Sequence, residues 1–268
     1  MQRIVLVALL LMQALLTGSS ALAAGVDHTA WDLLLKKHVV AVRGGRATQV
    51  DYAGFAADHR QLGEYLSQLS MVRRADFDRW PGKAQLAFLI NAYNAWTIEL
   101  ILSKYPDLKS IKDLGSLLRS PWKREFIPLL GKTRTLDDIE HELILGSGRY
   151  NEPRVHFALN CASVGCPALR GEAWTAQHLE AQLEEATRLF LSDGTRNRLN
   201  EGTLEISKIF KWYRSDFEQN WRATISLRGF LARYAKPLKL TDQTRQRLLD
   251  GDINIDYLDY DWKLNARR

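Results

Sequence analysis

Residues 82–105 read GKAQLAFLINAYNAWTIELILSKY, and Pro106 follows. Leu86, Leu89, Ile90, Tyr93, Thr97, Leu100 and Ile101 recur at the i, i+3, i+4, i+7 spacing of one helical face. Ala87, Asn91, Asn94 and Ile98 make a second stripe. A helix that is apolar on two sides is packed on most of its circumference, so the spacing predicts a central helix over 82–105, stopped by the proline. Asn91 and Asn94 interrupt that pattern. Asparagine is a poor helix former because its side chain competes for backbone bonds. On a buried helix the two amides need partners, either the backbone of neighbouring loops or, for Asn94, a ligand in a pocket.

Shorter elements are read outward from this helix. A helix is expected over 31–40, and Asp51-Tyr52 opens a connection into another over 61–69. A turn or two fits 74–80. Residues 123–130 and 133–136 flank Gly131-Lys132 as a hairpin, with Pro128 at an edge or bulge. Thr135 or Asp137 caps a helix through Leu145, followed by a short buried strand over 154–159 and a tight loop over 160–167. A helix over 175–192 and a strand over 203–206 come next. Ser207 then caps an aromatic-rich helix over 209–217, a helix pair fills 225–250, and a last strand covers 254–260. Helices outnumber short, scattered strands. The expected fold is therefore α+β: a single, mainly helical domain around one core, with a small, short-stranded sheet.

Composition bounds the function. The 268 residues are 46% hydrophobic and 25% charged, with 17 Gly, 7 Pro and 2 Cys. That excludes a disordered chain, a collagen-like repeat and a disulfide-dense scaffold. Residues 1–23 read as a cleaved signal peptide: Arg3, an apolar run over 4–16, and Ala21-Leu22-Ala23 as a small-x-small cleavage site. The run is shorter than a spanning helix requires, and no later apolar stretch is long enough to span. Residues 24–268 are thus expected as one exported domain, periplasmic or secreted, with no transmembrane segment after cleavage. The net charge of +6 is spread in short clusters such as Lys36-Lys37 and Arg73-Arg74, which read as solvated faces and not as a nucleic-acid footprint.

The segment 153–167 holds both cysteines, Cys161 and Cys166, together with Arg154, His156, Asn160 and Ser163. Two cysteines with four residues between them, in an exported chain, invite a disulfide. They equally suit a nucleophilic Cys161 with His141 or His156 as base, Glu140 or Asn160 orienting the imidazole, and Arg154 gripping a substrate carboxylate. Ser163 and its small neighbours would let a substrate approach the backbone. Cys166 precedes Pro167, which restricts its backbone and suits an anchor better than a nucleophile. If 154–159 is extended, His156 lies roughly 16 Å from residue 161 at about 3.3 Å per residue. A zinc site from His141, His156, Cys161 and Cys166 matches no familiar ligand spacing, and neither a metal nor another cofactor is expected.

Four segments together resemble the domain of unknown function 547 family. They are residues 85–95, Leu136 to His141, Pro153 to Pro167, and the Val50-Asp51-Tyr52 opening. The resemblance covers roughly 50–230 and implies a Cys-x4-Cys loop and a distant papain-like relation. Papain-like chains place the cysteine at a helix start, with the histidine on a later strand, whereas His141 and His156 here precede Cys161. Two functions stand side by side at this point. One is a thiol-dependent hydrolase or acyltransferase acting on a small-molecule or peptide substrate. The other is a non-enzymatic envelope binding protein with a Cys161–Cys166 disulfide. A redox role for the pair ranks below both, because neither C-x-x-C nor a thioredoxin-like βαβ unit is present.

Overall fold

The computed structural model describes residues 25–116 and 119–267. The signal-like residues 1–23 lie outside them. About 48% of the chain is helical and 14% is strand, arranged as small sheets of two or three strands, so the mainly helical α+β expectation holds. In chain order the N-terminal half holds α1 (Thr29–His38), β1 (Val39–Val42), β2 (Ala47–Val50), α2 (Tyr52–Ala57), α3 (His59–Ser70), α4 (Arg74–Phe77) and α5 (Gly82–Leu102). The hairpin β3 (Ile127–Leu129) and β4 (Lys132–Arg134) follows. Then come a π-helical turn at Asp138–Ile144 and a 3-10 turn at Pro153–Phe157. The remainder is α6 (Leu179–Leu191), β5 (Arg198–Asn200), β6 (Thr203–Ser207), α7 (Ile209–Trp212), a 3-10 turn at Arg214–Glu218, α8 (Leu227–Arg233), α9 (Asp242–Asp250) and β7 (Asn254–Leu258).

The β1–β2 hairpin was not anticipated, although the Val39 to Val42 run before Gly44 and Gly45 carries the signal for it. The other two-stranded sheet is β3–β4. The third sheet has the order β5-β6-β7, with β5–β6 antiparallel and β6–β7 parallel. Among the described residues no helix is long and apolar enough to cross a membrane.

Helix α5 is buried on nearly its whole circumference, from Ala84 to Ile101 with Glu99 half-buried. Trp31, Phe55, Tyr65, Phe77 and Ile139 are among the side chains that join it in one hydrophobic cluster. A second cluster collects Phe157 with Phe190, Phe210, Phe217, Trp221 and Phe230 from the C-terminal third. The single expected core is thus two clusters. They meet at the segment before the cysteines, where Val155 and Ala158 belong to the first and Phe157 to the second.

That segment is not the expected strand. Pro153 occupies the first turn of a 3-10 helix, where its missing N–H costs nothing, and the Glu152 side chain caps the turn by accepting from the Arg154 N–H at 3.2 Å. With the chain wound up, the extended-chain spacing between His156 and Cys161 no longer applies.

Two sets of buried polar contacts hold the segment. From α5, Asn94 Nδ2 donates to the Ala158 carbonyl at 3.0 Å, and the Asn160 N–H donates to Asn94 Oδ1 at 2.9 Å. Asn91 does the same to Trp174, donating to its carbonyl at 2.8 Å and accepting from its N–H at 3.0 Å. From the other side Arg154, fully buried, bonds Glu152, Glu180 and Glu184 and lies 4.9 Å from the Trp221 ring centroid. Burial alone would lower its basicity, but the Glu152 and Glu180 carboxylates outweigh that and raise it. Arg154 in turn, with Arg222, holds Glu180 down to about 2 against the opposing effect of burial.

Two outcomes follow from these contacts. Asn91→Leu and Asn94→Leu each strand loop backbone groups without water, so each lowers thermal stability, by about 1–3 kcal/mol per group left unpaired. Unchanged melting of both variants would show that the amides brace nothing. Arg154→Met leaves the glutamates uncompensated, at a cost of about 3–5 kcal/mol. Glu180 is depressed in the folded state, so its contribution is present above its usual pKa near 4.5 and fades as pH falls from there toward 2. Acid titration of the Met variant should therefore show a shallower loss across that window than the wild type. An equal slope would place the acid sensitivity elsewhere.

Candidate functional site

Beyond the Asn94 bracket the chain turns through residues 160–167. Asn160 organises this loop from within. Its Oδ1 accepts from the Ala162 N–H at 2.9 Å, and its Nδ2 donates to the Pro167 carbonyl at 2.7 Å. Ala162 sits at φ 61°, a left-handed turn that its short side chain tolerates better than a bulky one would. Cys161 and Cys166 are joined by a disulfide, with their Cα atoms 6.1 Å apart. The Cys161 N–H also points at Cys166 Sγ, at 2.9 Å. Cys166 is buried and Cys161 is half-buried. Cys161 begins no helix, which separates this loop from the papain-like arrangement.

A second segment lies on the loop from outside. The Val164 N–H donates to the Lys263 carbonyl and the Gly165 N–H to the Asp261 carbonyl, both at 2.8 Å, and the Asn265 N–H donates to the Ala162 carbonyl at 3.1 Å. These bonds bring the Tyr260 hydroxyl to 3.2 Å from both Cys161 Sγ and Cys166 Sγ. The Ser163 hydroxyl, 3.2 Å from Tyr260 Oη, completes the group. Burial pushes the Tyr260 phenol up to about 12, so it remains a proton donor at neutral pH. The ring packs so closely on Gly165 that a Cβ there would lie 2.9 Å from it.

The disulfide forms part of the wall of a cleft of about 140 Å³. Trp122, Tyr93, Tyr213, Tyr260 and Trp262 line it, together with Trp212, which is 46% exposed and so stands at the mouth. Besides the tyrosines, the ionisable groups in the lining are Asp137, Glu140, His141 and His156. Glu140 is buried on the π-helical turn, with the neighbouring His141 exposed. Burial, reinforced by the charge of Glu140, holds the Tyr93 and Tyr213 phenols well above the usual range. Desolvation also raises Asp137. His156, buried, bonds Asp216 through Nε2 at 2.8 Å and packs its ring 4.0 Å from that of Tyr213. The His141 ring stacks 6.2 Å from that of Tyr213.

The expected site residues therefore divide. Cys161, His156, His141 and Glu140 meet at one cleft, and Cys166 lines it with them. The buried Ser163 hydroxyl lies 3.3 Å from Cys161 Sγ and 3.4 Å from Cys166 Sγ. Arg154, Asn160 and Asn94 do not line the cleft. Their polar atoms are committed to glutamates or to loop backbone, which leaves Arg154 no free fork for a substrate carboxylate. The partner that orients His156 is Asp216, not Glu140 or Asn160. Asp216, Tyr213, Tyr260 and the three tryptophans were not anticipated at the site. The dense aromatic runs at 210–213 and 257–262 carried the signal for Trp212, Tyr213, Tyr260 and Trp262, and nothing local marked Trp122 or Asp216. Among the described residues no group of three or more His, Cys, Asp or Glu side chains is arranged to hold a metal ion. A larger hollow of about 440 Å³ beside α1 holds Asp27, His28, Asp32 and Glu172, but none of the expected site residues lines it.

No curated protein and no solved structure matches the chain. Residues 77–191 match the model of a family described as a protein of unknown function, DUF547. The match runs from the end of α4 to the end of α6 and includes Glu140, His141, His156 and both cysteines, so this part of the chain is similar to that family.

Proposed function

We propose that this chain is an exported, non-enzymatic binding protein whose ligand enters the aromatic cleft beside the Cys161–Cys166 bridge. The observation that carries this reading is the state of the two sulfurs: they are bonded to each other in the wall of the cleft. A sulfur held in a disulfide is not a nucleophile, and the bridge fixes the loop against which a ligand would rest. An exported location fits both the signal-like residues 1–23 and an oxidised pair, since disulfides persist in oxidising compartments.

A second reading, a thiol-dependent hydrolase or acyltransferase, is favoured by one observation. The sulfur of Cys161 has two hydroxyls beside it, and His156, bonded to Asp216, lines the same cleft. Reduction of the bridge by an external dithiol would free Cys161. His156 would take its proton, and the thiolate would attack an acyl carbon to form a thioester. The proton would then pass to the leaving amine or alcohol, and water or an acceptor would release the acyl group. Tyr260 and Ser163 would stabilise the thiolate by donating to it.

A thiol count on the native, unreduced protein tests the first reading, with zero as the expected result. Cys161→Ser, Cys166→Ser and reduction should then lower stability by similar amounts, on the order of 2–3 kcal/mol for a short loop. Native protein in which a neutral thiol reagent labels Cys161 would sink this reading.

The reduced protein tests the second reading. Cys161 should be alkylated before Cys166 at neutral pH, and Tyr260→Phe and Asp216→Asn should each slow that step by weakening support for the thiolate. Equal labelling of both sulfurs, indifferent to these changes, counts against a catalytic thiol.

A further inference from the structure

The walls of the cleft are aromatic and its carboxylates have no partner of opposite charge. Trp212, Tyr260, Trp262 and Trp122 form a run of tilted rings. Centroids are 4.9 Å apart for Trp212–Tyr260, 4.5 Å for Tyr260–Trp262 and 5.7 Å for Trp122–Trp262. Interplanar angles are 50° to 66° in these three pairs and 30° between Trp212 and Trp262, 5.7 Å apart. The face of such a ring carries negative potential and attracts cations. Trp262 already holds one, the Lys112 ammonium, 3.9 Å from its ring centroid.

Glu140, 6% exposed, and Asp137 line the same hollow. Among the described residues no Lys or Arg forms an ion pair with either carboxylate. Lys123 and His141 act on Asp137 only as nearby charges, and His156 is already paired with Asp216. Burial raises Asp137 and no ion pair offsets it, while Glu140 is hydrogen-bonded by the Tyr93 and Tyr213 hydroxyls, which carry no counter-charge. The hollow, about 140 Å³, is close to the roughly 150 Å³ of an engineered cavity that admits benzene. It suits a compact head group and not a peptide segment.

We infer that the cleft is a site for a small organic cation, an alkylammonium head group seated on the Trp212, Tyr260 and Trp262 rings with its charge toward Glu140. This rests on the binding reading above and adds the chemistry of the ligand.

Calorimetric titration of the unreduced full chain with choline and with 3,3-dimethyl-1-butanol, its uncharged carbon isostere, tests the inference. Choline should saturate and bind at least about tenfold more tightly than the alcohol, the discrimination expected when a cation meets aromatic faces in a partly dry site. Glu140→Gln should remove most of that discrimination. Trp262→Leu, at a half-buried ring, should weaken choline more than the alcohol, and it serves if the Glu140 variant does not fold. Equal affinity for the two probes would overturn the cation and leave a binding cleft of apolar preference. The absence of any saturable response to choline would overturn it as well. A reactive Cys161 in the same unreduced sample would instead undo the binding reading, whatever choline does.

Discussion

The asparagines of α5 are the constraint on which the rest of the structure turns. A helix buried on nearly every side has no water with which to satisfy a polar side chain, so each amide must find both a donor and an acceptor inside the protein. Asn94 finds them two residues apart on one loop, at Ala158 and Asn160. This is the pattern by which a neighbouring strand would hold a chain, supplied here by a single side chain. It fixes the path of the backbone at the residue before Cys161. Arg154 fixes the same segment from the opposite side, through three carboxylates of which two belong to α6. The cysteine loop therefore leaves a clamped point, although no sheet among the described residues contains it.

What the sequence could convey follows from this. A hydrophobic period sustained over many residues is a strong signal, and helix 82–105 differs from the observed Gly82–Leu102 only at its C-terminal end. The need of Asn91 and Asn94 for partners was legible for the same reason, because a polar residue on an apolar face requires an explanation. The run 154–159 was not legible. Short apolar stretches do not distinguish a buried strand from a helical turn, and the cues that decided it, Pro153 and the Glu152 cap, lie just outside the run. Arg154 is expected from the sequence to grip a substrate carboxylate. The carboxylates prove to be the protein's own, which only the packing of α6 against the turn reveals.

The candidate site was half legible. Its N-terminal contributors, Glu140, His141, His156, Cys161 and Cys166, fall inside the segment that resembles the family, and all five line one cleft. The other wall comes from Trp212, Tyr213, Tyr260 and Trp262, and the partner of His156 is Asp216. All of these lie beyond residue 191, where the family match ends. Local pattern carries no information about which distant segment will lie over a loop. Backbone bonds decide it here, those from residues 164 and 165 to 263 and 261, and they place one phenol against both sulfurs.

That placement makes the bridge chemically asymmetric. Cys161 is the more exposed of the two residues, and attack on its sulfur by a reducing thiolate expels Cys166 as the leaving group. A leaving thiolate departs faster when its charge is stabilised. Around Cys166 Sγ stand the Cys161 N–H at 2.9 Å, the Tyr260 hydroxyl at 3.2 Å and the Ser163 hydroxyl at 3.4 Å. All three can donate, and the high pKa of Tyr260 keeps its proton in place for that purpose. The donors that brace the closed loop are thus the same ones that would hold the charge if the loop were opened. A spacing of Cys-x4-Cys alone could not separate a staple from a reactive pair, because in the folded protein both roles draw on one set of atoms.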